Sequence, residues 1–279
     1  MLPHNQELNS MEKIGVLGCG WLGLALAKKA IEKGYSVNAT STTPSKTLRL
    51  EPTQINPFLL EVNENGIKGE DLFFNHISTL IIAIPPGLRR NTNRNFDKII
   101  GQVITKIKDF KIKKVIFLSS TSVYGFQEEE INEESPTLGT TTSAIQLLIS
   151  EKMLLEEEKF ETCVIRLGGL IGPKRHPIYS LSLKKNIPNP NSPINLIHQK
   201  DAVQIILKLI EAWQPNEIYS AVTPFHPSRK NYYTKMANLA NISPPDFQPE
   251  GAVKGEVSSQ KIRDKINFTF LVDNLLTLN

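Results

Sequence analysis

The sequence predicts an α/β protein built on a doubly wound parallel sheet, followed by a smaller C-terminal region. Three observations carry this. Short apolar runs alternate with stretches of helical period from Lys13 to Leu167. Two of the runs, 79–84 (TLIIAI) and 115–119 (VIFLS), are continuously apolar, as expected of strands covered on both faces. A glycine-rich turn, Gly18-Cys19-Gly20-Trp21-Leu22-Gly23, stands between the first strand and the first helix.

In chain order, residues 13–18 (KIGVLG) form the first strand, and 21–33 a helix ended by Gly34. Residues 35–41 (YSVNATS) alternate like a second strand, and 58–62 (FLLEV) make a third. The run 79–84 is stopped by Pro85-Pro86-Gly87. A helix is expected over 95–110, with Phe96, Ile99, Ile100, Val103, Ile104 and Ile107 on one face. Strand 115–119, a helix over 143–160 and strand 162–167 (TCVIRL) follow. Beyond about residue 172 prolines crowd in, and helices are expected at 201–213 and, last, at 228–241.

Composition narrows the function. With 279 residues, 40% apolar and 22% charged, the chain can bury a sizeable core. A net charge of +4 is too mild and too evenly spread to argue for nucleic acid. The two cysteines, Cys19 and Cys163, form no CxxC, and no metal or disulfide framework is suggested. The acidic run 128–134 has no fixed register for a metal and reads as a solvated loop. There is no signal-peptide profile and no apolar run near the ~20 residues of a membrane span, so a cytoplasmic location without membrane contact is expected. Hydrolase-elbow, zincin and phosphate-loop motifs do not occur.

The glycine turn carries the first functional expectation. Gly18 permits a tight turn, Gly20 lets a pyrophosphate approach the backbone, and Gly23 lets helix and strand pack closely. Trp21 and Leu22 then open a helix whose free N–H groups face the phosphates. Where a ribose-binding carboxylate is expected at the end of the second strand, the chain has Ser41-Thr42-Thr43-Pro44-Ser45-Lys46. Hydroxyls with Lys46, joined by Arg49, favour the 2′-phosphate of NADP over NAD; a plain polar loop is the alternative. The expected organisation is a frayed terminus over 1–10, a Rossmann-type domain over 11–171 and a substrate-side region over 172–279, which can return elements to the sheet.

A second stretch, Ser119-Ser120-Thr121-Ser122-Val123-Tyr124-Gly125, directly follows a buried strand. With the glycine turn it resembles the extended short-chain dehydrogenase/reductases, the NAD(P)-dependent epimerase/dehydratases. The resemblance continues through Ile82-Ala83-Ile84-Pro85-Pro86, through Glu133-Glu134-Ser135-Pro136, and through Arg166-Leu167-Gly168-Gly169-Leu170-Ile171-Gly172-Pro173. It extends to the segments 195–201 (NLIHQKD) and 257–262 (VSSQKI). It is closest to an atypical branch whose turn reads GxGWLG. What it implies is a cofactor lined by Ala83, Ile84, Pro85, Ser119, Gly169 and Leu170, a small-molecule substrate of anionic or nucleotide-sugar type, and a homodimer through helices 95–110 and 143–160. It also implies that Ser120 bonds the reacting hydroxyl or carbonyl.

The chain departs from that pattern most sharply on the helix 143–160. The family's tyrosine, its general acid–base, and the lysine four residues on fall at Ser143 and Leu147, counting back from Glu151. Serine has no accessible pKa and leucine carries no charge, while an isolated phenol itself titrates near 10. Lys152, nine residues past Ser143, lies on the opposite face of the helix. Tyr124 is either a displaced acid or a packing residue. His176, beside Arg175, is an anion ligand or part of a proline-stiffened loop. His198 is catalytic or fixes loop geometry, and His226 is structural. The function expected is an oxidoreductase or epimerase with a non-standard site. The alternatives are a non-catalytic dinucleotide sensor and a hydroxyacid-dehydrogenase-like enzyme, the latter disfavoured by SSTSVYG.

Overall fold

The computed structural model describes residues 12–50, 53–88 and 91–277, except for the Arg49 side chain. The frayed terminus and the Arg49 contact expected from the sequence lie outside what is described.

The chain opens with β1 (Lys13–Leu17), α1 (Trp21–Glu32) and β2 (Ser36–Ser41). After α2 (Pro44–Leu50) comes a hairpin of β3 (Asn56–Asn63) and β4 (Gly66–Gly69). Next are β5 (Thr79–Ile82), α3 (Phe96–Asp109), β6 (Lys114–Ser120), α4 (Thr142–Leu155) and β7 (Glu161–Leu167). The remainder supplies β8 (Gly169–Ile171), α5 (Ile178–Leu181), β9 (Leu196–His198), α6 (Gln199–Glu211), β10 (Ile218–Ala221), α7 (Arg229–Leu239) and α8 (Gln260–Ile266).

Eight strands form one sheet in the order β10-β7-β6-β5-β1-β2-β3-β4. All neighbours are parallel except β3 and β4. The order reverses between β1 and β5, and an open α/β sheet of this kind has its crevice outside the carboxyl ends of the strands at that point. Helices α1 and α6 bury Leu22, Leu26, Ala27, Ile205, Ile206 and Leu209 on one face. On the other, α3 and α4 bury Phe96, Ile100, Val103, Leu147 and Leu154. This is the doubly wound α/β class the sequence predicts. A third apolar cluster, around Ile171, Ile178, Tyr232 and Met236, belongs to the C-terminal region, where β8 and β9 make a separate two-stranded sheet.

The differences from expectation have physical reasons. Helix α4 stops at Leu155 rather than 160, because Glu156, Glu157 and Glu158 would place like charge on the negative end of the helix dipole. Helix α6 starts at Gln199, two residues early, because the His198 ring caps it by accepting from Lys200 N–H. Helix α7 is not the last, since α8 follows. Strand β10, from the C-terminal region, joins the main sheet beside β7. No helix of the described residues is long and apolar enough to cross a membrane.

Candidate functional site

The glycine turn is docked on the end of β2 by two bonds. Gly18 N–H donates to Thr40 Oγ1 at 2.9 Å, and Cys19 N–H donates to the Thr40 carbonyl at 2.8 Å. Gly18 has φ +104°, a conformation L side chains avoid. Glycine at 23 is required by packing, because a Cβ there would lie 2.3 Å from the Gly18 carbonyl oxygen. Gly20 is different: a Cβ there would meet nothing within 4 Å. Helix α1 starts at this open point with no side-chain cap. The N–H groups of Trp21, Leu22 and Gly23 reach no acceptor among the described residues. They are placed to receive an anion.

In front of them lies a cleft of ≈ 740 Å³ at the switch point. Of the expected cofactor residues, Gly18, Gly20, Ser41, Thr42, Lys46, Ala83, Ile84 and Pro85 line it. No carboxylate stands at the end of β2, and Lys46 faces the cleft from the first turn of α2. Open space at Gly20, free N–H groups and this volume together fit a dinucleotide.

The other expected cofactor residues are not among those that line the cleft. Leu22 is core, and Trp21 is a strut. The Trp21 indole N–H donates to the Pro173 carbonyl at 2.9 Å, Arg175 lies 4.9 Å over its ring, and Gln199 Nε2 donates to its carbonyl. Gly169 and Leu170 belong to β8, with Gly169 N–H donating to Asn195. Ser119 is buried and donates its hydroxyl to Glu151.

Glu151 anchors a buried chain of polar groups. It binds Arg166 through Nε and Nη2, the latter at 2.7 Å, with both side chains at least 95% buried. Arg166 lies 4.8 Å over the Tyr124 ring, and its Nη1 has no hydrogen-bond partner among the described residues. Tyr124 is fully buried and shares a 2.7 Å hydrogen bond with Ser220 Oγ. Burial pushes the Tyr124 phenol up, against the pull of the Ser220 bond and the Arg166 charge. Tyr124 is thus buried in this polar chain and is not among the residues that line the cleft.

The helix stripe 143–147–151 faces the end of β6, because its third member reaches Ser119. Leu147 is a core residue of the cluster that also holds Phe96, Phe117 and Val123, and Ser143 is half-buried. Lys152 is exposed and pairs with Glu156. Ser120 is half-buried, and its Oγ accepts from Ser122 N–H.

Both nitrogens of His176 are engaged. Nδ1 accepts from Ile178 N–H at 3.1 Å, which leaves Nε2–H to donate to the Tyr232 hydroxyl at 2.9 Å. Burial lowers its pKa, and burial with nearby Lys200 lowers that of His198. His226 Nδ1–H donates to the Ile194 carbonyl. Both cysteines are free thiols, and burial pushes Cys19 in the glycine turn up to about 11. No cluster of metal ligands occurs among the described residues.

Sequence reasoning missed the far wall of the cleft, made by Leu60, Val62, Asn63, Glu64, Asn65, Asn91, Arg94 and Ile99. The Asn65-Gly66 pair, a hairpin-turn signal between two strand-like runs, could have revealed part of it. Two side chains hold this wall. Glu64 accepts from Asn95 N–H at 2.7 Å and from its amide. Gln146 of α4 accepts from Phe96 N–H and donates to the Arg94 carbonyl.

No family model matches the chain. Protein YeeZ of Escherichia coli (strain K12) is 27% identical over 264 residues, covering 93% of this chain and 96% of that one. Among solved structures, MoeE5 in complex with UDP-glucose and NAD superposes with a TM-score of 0.78 at 16% identity, over 95% of both chains. UDP-glucose 4-epimerase of Thermotoga maritima gives 0.77 at 16% identity, over 93% and 94%. UDP-glucuronic acid 4-epimerase of Bacillus cereus, in complex with NAD, gives 0.76 at 14%, also over 93% and 94%. This chain therefore has the fold of the NAD-dependent nucleotide-sugar epimerases.

Proposed function

We propose that this protein belongs to the NAD(P)-dependent epimerases and dehydratases, binds a nicotinamide dinucleotide in the 740 Å³ cleft, and is an oxidoreductase or epimerase working without a Tyr–Lys pair. The observation that carries this is the open Gly20 cradle under three N–H groups that no protein acceptor uses. Lys46 and the absence of a carboxylate at the end of β2 support NADP over NAD. A small anionic or nucleotide-sugar-like substrate suits the exposed Lys174 and Arg175 beside the Trp21 strut, and the ligand of MoeE5 supports the same class.

A bound nicotinamide would supply hydride transfer. The chain's own contribution is positional. Ser120 accepts from Ser122 N–H, and no described residue takes its own proton, which leaves it free to donate to a substrate oxygen. Ser143 adds a second hydroxyl on the stripe facing β6. Neither is a base near neutral pH, so a proton acceptor must come from the substrate or solvent.

The burial of Leu147 favours a second reading, a non-catalytic dinucleotide sensor, because no cation can reach the ribose from that position. One experiment separates the two. Calorimetry with NADP and NAD is followed by turnover assays against nucleotide sugars and small carbonyl compounds, in wild type and Ser120→Ala. Tight binding with turnover lost in Ser120→Ala is expected. Binding without turnover in wild type overturns the enzyme, and no binding of either nucleotide overturns both readings.

A further inference from the structure

We propose that Arg94 is the residue that holds the base end of the nucleotide, its guanidinium lying over a purine ring; this rests on the dinucleotide reading of the cleft. The cleft lining has two chemically different groups of residues. The glycine turn, Ser41, Thr42 and Lys46 suit phosphate. Beside Arg94 the lining holds the amides of Asn63, Asn65 and Asn91, with Leu60, Val62 and Ile99 as a buried apolar floor, which suits a flat heteroaromatic group with polar edges.

Arg94 belongs to this second group and is held in place. Its N–H donates to the Asn91 carbonyl, and its own carbonyl accepts from Gln146 Nε2 at 3.0 Å. The adjoining Asn95 is tied to Glu64. The side chain folds back over Gly87, where φ is +74° and a Cβ would sit 2.5 Å from Arg94 Nη1. Glycine thus leaves the space the guanidinium occupies. Among the described residues Arg94 forms no ion pair, and its guanidinium donates no hydrogen bond. The nearby Glu64 carboxylate is spent on Asn95, whose N–H, ahead of Arg94's charge, holds it below its ordinary pKa. A half-buried planar cation that donates no hydrogen bond, in a cleft ringed by amides, fits stacking on a π-system.

The test is titration of wild type, Arg94→Ala and Arg94→Lys with NADP, NAD, ADP and nicotinamide mononucleotide, with apo melting curves as the folding control. Arg94→Ala is expected to weaken NADP, NAD and ADP alike, by about 5- to 30-fold. Arg94→Lys should recover little, because an ammonium has no planar face, and nicotinamide mononucleotide should be unaffected. Unchanged adenine-nucleotide affinity in Arg94→Ala overturns the assignment. So does a loss confined to NADP, which would mark a 2′-phosphate contact instead. Failure of wild type to bind any adenine nucleotide is the separate result that removes the dinucleotide reading.

Discussion

At the residue scale, Gly20 and Gly23 separate ligand binding from folding. Gly20 has φ −82°, ordinary for any residue, and open space where a Cβ would go. Gly20→Ala should melt like wild type while losing nucleotide affinity by tenfold or more (about 1.4 kcal/mol). Gly23→Ala should lose both, because its Cβ meets the Gly18 carbonyl at 2.3 Å. Melting curves beside nucleotide titrations check the pair; equal behaviour of the two variants would remove the cradle assignment. The Glu151–Arg166 pair makes a second point. Glu151→Ala leaves a guanidinium buried without its counter-charge, at an expected cost of about 3–5 kcal/mol in denaturant unfolding. The glycines were legible in the sequence because a turn motif is local. Arg94 was not, since its partner surfaces, Gly87 and Gln146, come from 7 and 52 positions away.

At the element scale, α4 carries the two positions, 143 and 147, where the resemblance expects a Tyr–Lys pair. Leu147 adds to the core, while Gln146 beside it clamps the entry of α3. Gln146→Leu leaves Phe96 N–H and the Arg94 carbonyl unpaired, at an expected cost of about 1–3 kcal/mol. If Arg94 is positioned as argued, adenine-nucleotide affinity should fall with it. Helix α6 has its own clamp: buried Asp201 accepts from Leu271 N–H at 2.7 Å and Val272 N–H at 3.1 Å. Burial raises its carboxyl from 3.8 to about 6. The folded state therefore holds this proton more tightly than the unfolded chain. Stability present at acid pH is lost as pH rises from about 4 through about 6, by about 3 kcal/mol. Asp201→Asn should flatten that slope in denaturant midpoints measured from pH 4 to 7.5; an unchanged slope rules the group out. The helices were readable from their apolar period. Their ends were not, because His198 and the glutamates after Leu155 decide them through capping and dipole terms.

At the scale of the whole molecule, α3 and α4 pack side by side and α4 leaves Ile145 and Ile149 exposed, one turn apart. A homodimer through these helices is the proposed assembly. Sedimentation should show a dimer in wild type and a monomer in Ile145→Glu/Ile149→Glu, and a wild-type monomer ends the idea. The doubly wound plan was legible because its central strands are continuous apolar runs. Strand β10 was not, since only four residues of an ordinary-looking stretch form it and its pairing with β7 is set by distant sequence. The buried polar chain was hidden for the same reason: Ser220 meets Tyr124 across 96 positions.

That late strand also fixes the order of events during synthesis. The edge of β7 is complete once Leu167 has emerged, but its neighbour spans Ile218–Ala221, so some fifty residues must follow before the edge is covered. During that interval the nascent chain presents an unpaired parallel edge, a template for wrong pairing. The first half of the molecule is thus a folding debtor to the second, and a chain truncated after residue 171 is expected to aggregate rather than fold.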